Sequence, residues 1–220
     1  MDRANTARMT GQTLARRAIG VEYVTLGWNS LEAVVAIVSG VVASSVALTA
    51  FGIDSGIELI SATVVLVRLR ALVAGSEPDE RKERRALRIV AVCFFALAGY
   101  VVIDATISLA LGERPAVSPA GVAISGAALI VMPTLAVAKR RIATRLDTGG
   151  LTGPAVLLRA DAAETALCAT LAATTLVGLG LNAAFGWWRA DPVASLAVVY
   201  FAIREGREAW AGELDCCGDD

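Results

Sequence analysis

The sequence predicts an all-α integral membrane protein, with six transmembrane helices and both termini in the cytoplasm. Three observations predict it. Of the 220 residues, 56% are hydrophobic and only 19% are charged, with a mean hydropathy of +0.63; soluble domains carry about 25% charged residues. Six apolar stretches approach or exceed the roughly 20 residues that a helix needs to cross a bilayer. The basic residues, finally, gather at one end of those stretches.

The spans fall at 19–42, 46–67, 87–111, 117–138, 155–181 and 192–210. Ahead of the first, residues 1–18 (MDRANTARMTGQTLARRA) are arginine-rich with a single acid. Such a segment resembles the start of a transit or signal peptide, but five further spans and the charge balance favour an uncleaved basic cytoplasmic arm. The first two spans are joined around Ser44 by so short a connection that they must be antiparallel neighbours. Pro78, Pro115, Pro119, Pro154 and Pro192 fall in loops or first turns, where a missing N–H is harmless. Pro133 alone lies inside a span, which predicts a kink in the fourth helix.

Arg3, Arg8, Arg16 and Arg17 precede the first span. Arg68, Arg70, Arg81, Lys82, Arg84, Arg85 and Arg88 lie between the second and third. Lys139, Arg140, Arg141, Arg145 and Arg159 lie between the fourth and fifth, and Arg204 and Arg207 close the last. That assigns 18 of the 20 basic residues to one side and leaves Arg114 and Arg189 for the other. By the positive-inside rule this side is the cytoplasm. A short acidic tail, 211–220, follows with Cys216 and Cys217; Cys93 and Cys168 fall within spans, so the four cysteines do not form a disulfide framework. Trp187 and Trp188 beside Arg189 suit the outer interfacial belt.

Composition also excludes chemistry. There is no histidine, which removes Ser-His-Asp and Cys-His catalysis and any imidazole-ligated metal site. A net charge of −1 gives no support for nucleic acid, and no G-x-x-x-x-G-K-[ST] loop offers a nucleotide site. No Ser/Lys or paired-Asp motif suggests an intramembrane hydrolase, so the chain does not look like an enzyme.

The acids are the anomaly. Glu22, Glu32, Asp54, Glu58, Asp104, Asp161 and Glu164 fall within or at the edge of spans, with no lysine or arginine expected at matching depth. A charged carboxylate at the bilayer centre costs at least about 2.5–3.5 kcal/mol, so such a group has to be protonated or meet a cation from outside. Asp54 and Glu58, four apart, share one face of the second helix. Asp161, Glu164 and Cys168 make one stripe on the fifth. Two helices that each present a stacked pair can enclose a cation with four ligands, the number a tetrahedral transition-metal site takes. The candidate quartet is Asp54, Glu58, Glu164 and Cys168.

At these residues the chain resembles the cation diffusion facilitator family. WNSLEAVVAIVSGVVASSVALTAFGIDSGIEL is similar to that family's first two helices, LLRADAAETALCATL to its fifth, and FGWWRADPVASLAV to the start of its sixth, with Asp191–Pro192. The resemblance implies a transport site made by the second and fifth helices, at Asp54, Glu58, Glu164 and Cys168. Glu and Cys stand where zinc carriers of the family commonly have His and Asp, and Asp161 is the substitute fourth ligand. Asn29 and Glu32 in the first helix and Asp104 in the third are expected to line the path or support the ligands. The family usually adds a cytoplasmic ferredoxin-fold domain after the sixth helix. Here ten residues follow Trp210, so a homodimer would rest on membrane helices.

The implied function is divalent-cation efflux through a bacterial-type plasma membrane by proton antiport, with no resident cofactor. Crowded carboxylates repel one another in low dielectric, and metal ligands bind deprotonated, so metal and protons exchange at the same atoms. The family favours Zn²⁺; missing imidazole moves weight toward Fe²⁺ and Mn²⁺, and the thiol admits Cd²⁺. The competing expectation is a non-transporting membrane partner or regulatory protein that keeps the fold with a degenerate site.

Overall fold

A computed structural model describes residues 2–75, 80–112, 116 and 118–211. Pro78, Arg114, Pro115 and the tail 212–220 with Cys216 and Cys217 lie outside the described residues. Among those described, the chain forms six α-helices and no strand: α1 (Asp2–Ala43), α2 (Val46–Val73), α3 (Glu80–Leu111), α4 (Pro119–Thr148), α5 (Thr152–Phe185) and α6 (Ala190–Ala211).

Five of the six predicted spans lie within a helix, and the fourth, 117–138, is helical from Pro119; the helices run further, mostly at the basic end. α1 is continuous from Asp2 through the segment expected to be a basic arm. α3 starts at Glu80 and α4 continues through Arg140, Arg141 and Arg145. Arg, Lys, Glu, Ala and Leu are good helix formers, and these extensions also have a face to bury. Leu14, Ala15, Ala18, Leu69, Ala86, Leu87, Ala143 and Leu146 pack there with Leu157 and Leu158 as one apolar cluster. The 30 residues of α4 therefore span about 45 Å, well beyond a hydrocarbon core of about 30 Å. Pro133 sits inside α4, which stays helical through it.

Helix ends follow their sequence signals. Ser45 caps α2 by accepting from the Leu48 N–H, 3.2 Å. Ser118 caps α4 by accepting from Gly121, 3.1 Å, with Pro119 at the first helical position. Gly186 ends α5 in the left-handed conformation that glycine adopts without strain. Between α1 and α2 the turn is so tight that Ser44 takes a positive φ of 51°. The two helices then pack so closely that a Cβ on Gly52 would lie 2.7 Å from the backbone nitrogen of Ile37, and one on Gly40 2.7 Å from that of Thr49.

α1 pairs with α2, α4 with α5 and α3 with α6, and α2 and α5 also meet in the interior. A second apolar cluster, built on Leu48, Phe51, Val101, Ala128, Met132 and Leu171, occupies the opposite end. Outward, the helices show aliphatic side chains such as Val34, Val41, Ile60, Ile103 and Ile130. Exposed aliphatic side chains in this number belong against lipid rather than water. On the stretches Gly11–Ala43, Arg84–Leu111, Pro119–Thr148 and Thr152–Phe185, four of the helices are long and apolar enough to cross a membrane. The chain is a helical membrane protein.

Candidate functional site

Between the two apolar clusters lies a polar belt. Along α1 the order is Ala18, then Glu22, Thr25, Asn29 and Glu32, then Ala36. Along α2 it is Phe51, then Asp54, Ser55, Glu58 and Ser61, then Val65. On α4 the belt is Lys139, and on α5 it is Asp161, Glu164 and Thr165. All of these side chains are buried. Buried polar groups need partners, and the belt divides by how far they are satisfied.

At its basic end the belt is organised by Lys139. Its ammonium lies 2.5 Å from Asp161 Oδ2, 3.4 Å from Glu22 Oε2 and 3.8 Å from Glu58 Oε1. It also donates to the Thr165 hydroxyl, 3.0 Å, which in turn donates to Glu58 Oε1, 2.5 Å. Ser61 donates to the other oxygen of Asp161, 2.9 Å. This corrects the expectation that no cation stands at the depth of the acids. Lys139 is the first of three consecutive basic residues, which is why it reads as loop. Its position, however, continues the buried stripe of α4 that runs Ile124, Ala128, Met132, Ala136, Lys139, Ala143 and Leu146. Helical periodicity carried past residue 138 would have found it. Thr165 and Ser61 lacked any such signal, because one hydroxyl in a helix reads as ordinary.

Toward the other end, Glu32 is fully engaged. It accepts from Ser55 (2.7 Å) and from the Cys168 thiol (3.3 Å) at one oxygen, and from the Trp28 indole N–H at the other. Cys168 thus touches a carboxylate of α1, a contact that the stripe on α5 alone did not foretell. Asp54 is within electrostatic range of Glu58, Glu32 and Cys168. Glu164 is within electrostatic range of Asp54, Glu58 and Asp161. Both oxygens of Asp54 and of Glu164, Oε2 of Glu58 and the Asn29 amide have no hydrogen-bond partner among the described residues.

Of the expected residues, the structure therefore brings together Asp54, Glu58, Glu164, Cys168, Asp161, Glu32 and Asn29 in one belt. Asp104 stays apart: half-buried on α3, it accepts from Tyr100 one turn away, 2.6 Å. Among the described residues no three Asp, Glu or Cys side chains stand in an arrangement that could hold a metal ion. Part of the reason is visible at Glu58, whose Oε1 is turned to Thr165 and Lys139. At the far end, Arg189 lies over the Trp188 ring, 5.1 Å from its centroid.

Six buried carboxylates in the belt (Glu22, Glu32, Asp54, Glu58, Asp161 and Glu164) thus face one buried lysine. One ammonium cannot compensate them all, and burying an uncompensated charge is costly. The belt as a whole calls for additional cations or protons. Comparison with known protein families found no matching family model, and no curated protein matches the chain.

Proposed function

We propose that this protein is a divalent transition-metal transporter that moves its ion out of the cytoplasm in exchange for protons. The observation that carries this reading is the six-to-one excess of buried carboxyl groups over ammonium, with no hydrogen-bond partner for any of the four carboxylate oxygens of Asp54 and Glu164 among the described residues. A purely structural polar network satisfies its members; this one leaves its central carboxylates unsatisfied.

In this reading Asp54 and Glu58 of α2 and Glu164 and Cys168 of α5 supply the ligands, with Asp161 as an alternative. Glu58 completes the set by turning its unpartnered Oε2 toward Asp54 and Glu164. Asn29 and Glu32 support them from α1. Zn²⁺ is the first candidate ion, and the oxygen-rich donor set also suits Mn²⁺ and Fe²⁺, with Cd²⁺ admitted by the thiol. Metal ligands bind deprotonated, so each ion that enters displaces protons from the same atoms, and the proton gradient can drive export without a nucleotide. All six helices cross the bilayer in this proposal, with the arginine-rich ends in the cytoplasm. The host is a bacterial-type plasma membrane and the assembly a homodimer through membrane helices. The resemblance to the cation diffusion facilitators supports the same reading.

A second reading has a specific observation in its favour. Lys139 already places an ammonium beside Glu58, as in a protein that keeps the fold and no longer transports. Proteoliposomes under an imposed pH gradient separate the two. Gradient-dependent uptake is expected for at least one ion of a Zn²⁺, Cd²⁺, Mn²⁺ and Fe²⁺ panel; a folded protein that takes up none of them is the non-transporting protein.

A further inference from the structure

Lys139 is the belt's one buried cation among the described residues, and the transport proposal gives it no role. Its three carboxylate contacts are graded: Asp161 at 2.5 Å, Glu22 at 3.4 Å and Glu58 at 3.8 Å. The two nearer acids hold the ammonium on their own. Glu58 is the outermost partner, and it is divided between two neighbourhoods. Its Oε1 faces Lys139 and Thr165, while its Oε2 has no partner and is in a carboxylate close enough to Asp54 and Glu164 to interact electrostatically with both. The groups facing Lys139 are Glu22 from α1, Glu58 from α2 and Asp161 and Thr165 from α5, so its charge is fixed from three sides.

We propose that Lys139 is a tethered cation that sets the divalent-ion affinity of the site by competing with the ion for Glu58. This rests on the metal-binding reading above. An ion seated between Asp54 and Glu164 draws Glu58 away from the ammonium, which then stays with Asp161 and Glu22. Lys139 weakens the ion's hold in one way: Glu58 must be won from it. That attraction is not strongly screened in a buried site. The lysine thus limits how tightly the ion is held, in a protein whose proposed task is to let it go again.

The test is calorimetric titration of the full-length protein in detergent with Zn²⁺ and, separately, Mn²⁺. Lys139→Met is expected to bind the ion about tenfold tighter than the wild type, a change of about 1.4 kcal/mol. In a Glu58→Gln background the same substitution should change affinity less than about twofold, because the competition runs through Glu58. A folded Lys139→Met protein with unchanged or weaker affinity overturns the proposal, as does a tenfold gain that persists without the Glu58 carboxylate. If Lys139→Met does not fold, the paired variant Lys139→Met/Asp161→Asn removes the closest ion pair together and carries the same two expectations. A wild type that neither binds nor takes up any ion ends the transport reading. If Lys139→Met then gains binding, the competition stands without transport; if it too binds nothing, both proposals fall.

Discussion

The ammonium nitrogen of Lys139 on α4 lies 2.5 Å from Oδ2 of Asp161 on α5, and both side chains are fully shielded from solvent. An ion pair so placed ties together two neighbouring helices at the basic end of an acidic belt. Breaking a buried pair from one side leaves a charge without compensation. Pairs of this kind are therefore exposed by asymmetric substitution.

Asp161→Asn should destabilise the protein by about 3 kcal/mol, since Lys139 keeps only the longer contacts to Glu22 and Glu58. Adding Lys139→Met should recover more than half of that loss. Thermal or denaturant unfolding in detergent, followed by circular dichroism, measures both. A double variant no more stable than Asp161→Asn alone contradicts the pairing as the source of the loss.

Asp54→Asn separates function from structure. No hydrogen bond to either Asp54 oxygen is lost, and a buried carboxylate becomes a neutral amide of the same shape. Stability should therefore stay within about 1 kcal/mol of wild type or rise, while pH-driven metal uptake is abolished. Loss of folding together with uptake would instead mark Asp54 as structural.

Cys168→Ser tests sulfur. The thiol donates to Glu32 Oε1 at 3.3 Å, a contact that a serine hydroxyl can also make. If the sulfur is a ligand, the ratio of Cd²⁺ to Mn²⁺ affinity should fall by about tenfold, since thiolate favours the softer ion. An unchanged ratio in a calorimetric panel removes Cys168 from the ligand set.

Gly52→Ala should disrupt the crossing of α1 and α2. Its new Cβ would lie 2.7 Å from the backbone nitrogen of Ile37, and a backbone cannot swing aside as a side chain can. A loss of about 1–3 kcal/mol is expected, read from the unfolding midpoint. Gly56→Ala, whose Cβ would meet nothing within 4 Å, is the control and should match wild type or gain helix propensity.

Much of this was legible in the sequence because it is written in local repeats. Apolar stretches placed all six helices, and Pro119 falls in a first turn as its missing N–H requires. The four-residue spacing of Asp54 and Glu58, and the Asp161–Glu164–Cys168 stripe, put each set on an inward face whatever the neighbours. The ends were less legible: arginines signal a membrane boundary, but they do not stop a helix.

The tertiary structure alone decided who faces whom. Lys139 looks like the first residue of a basic loop, yet α4 continues its buried stripe through it and delivers its ammonium to Glu22, Asp161 and Glu58 on three other helices. Likewise Cys168 meets Glu32 across 136 positions of sequence, whereas Asp104, as acidic as the rest, accepts from Tyr100 of its own helix. The reason is physical. Periodicity along one helix fixes which side of it is buried, but charge compensation acts between helices, over a few ångströms that only their packing sets.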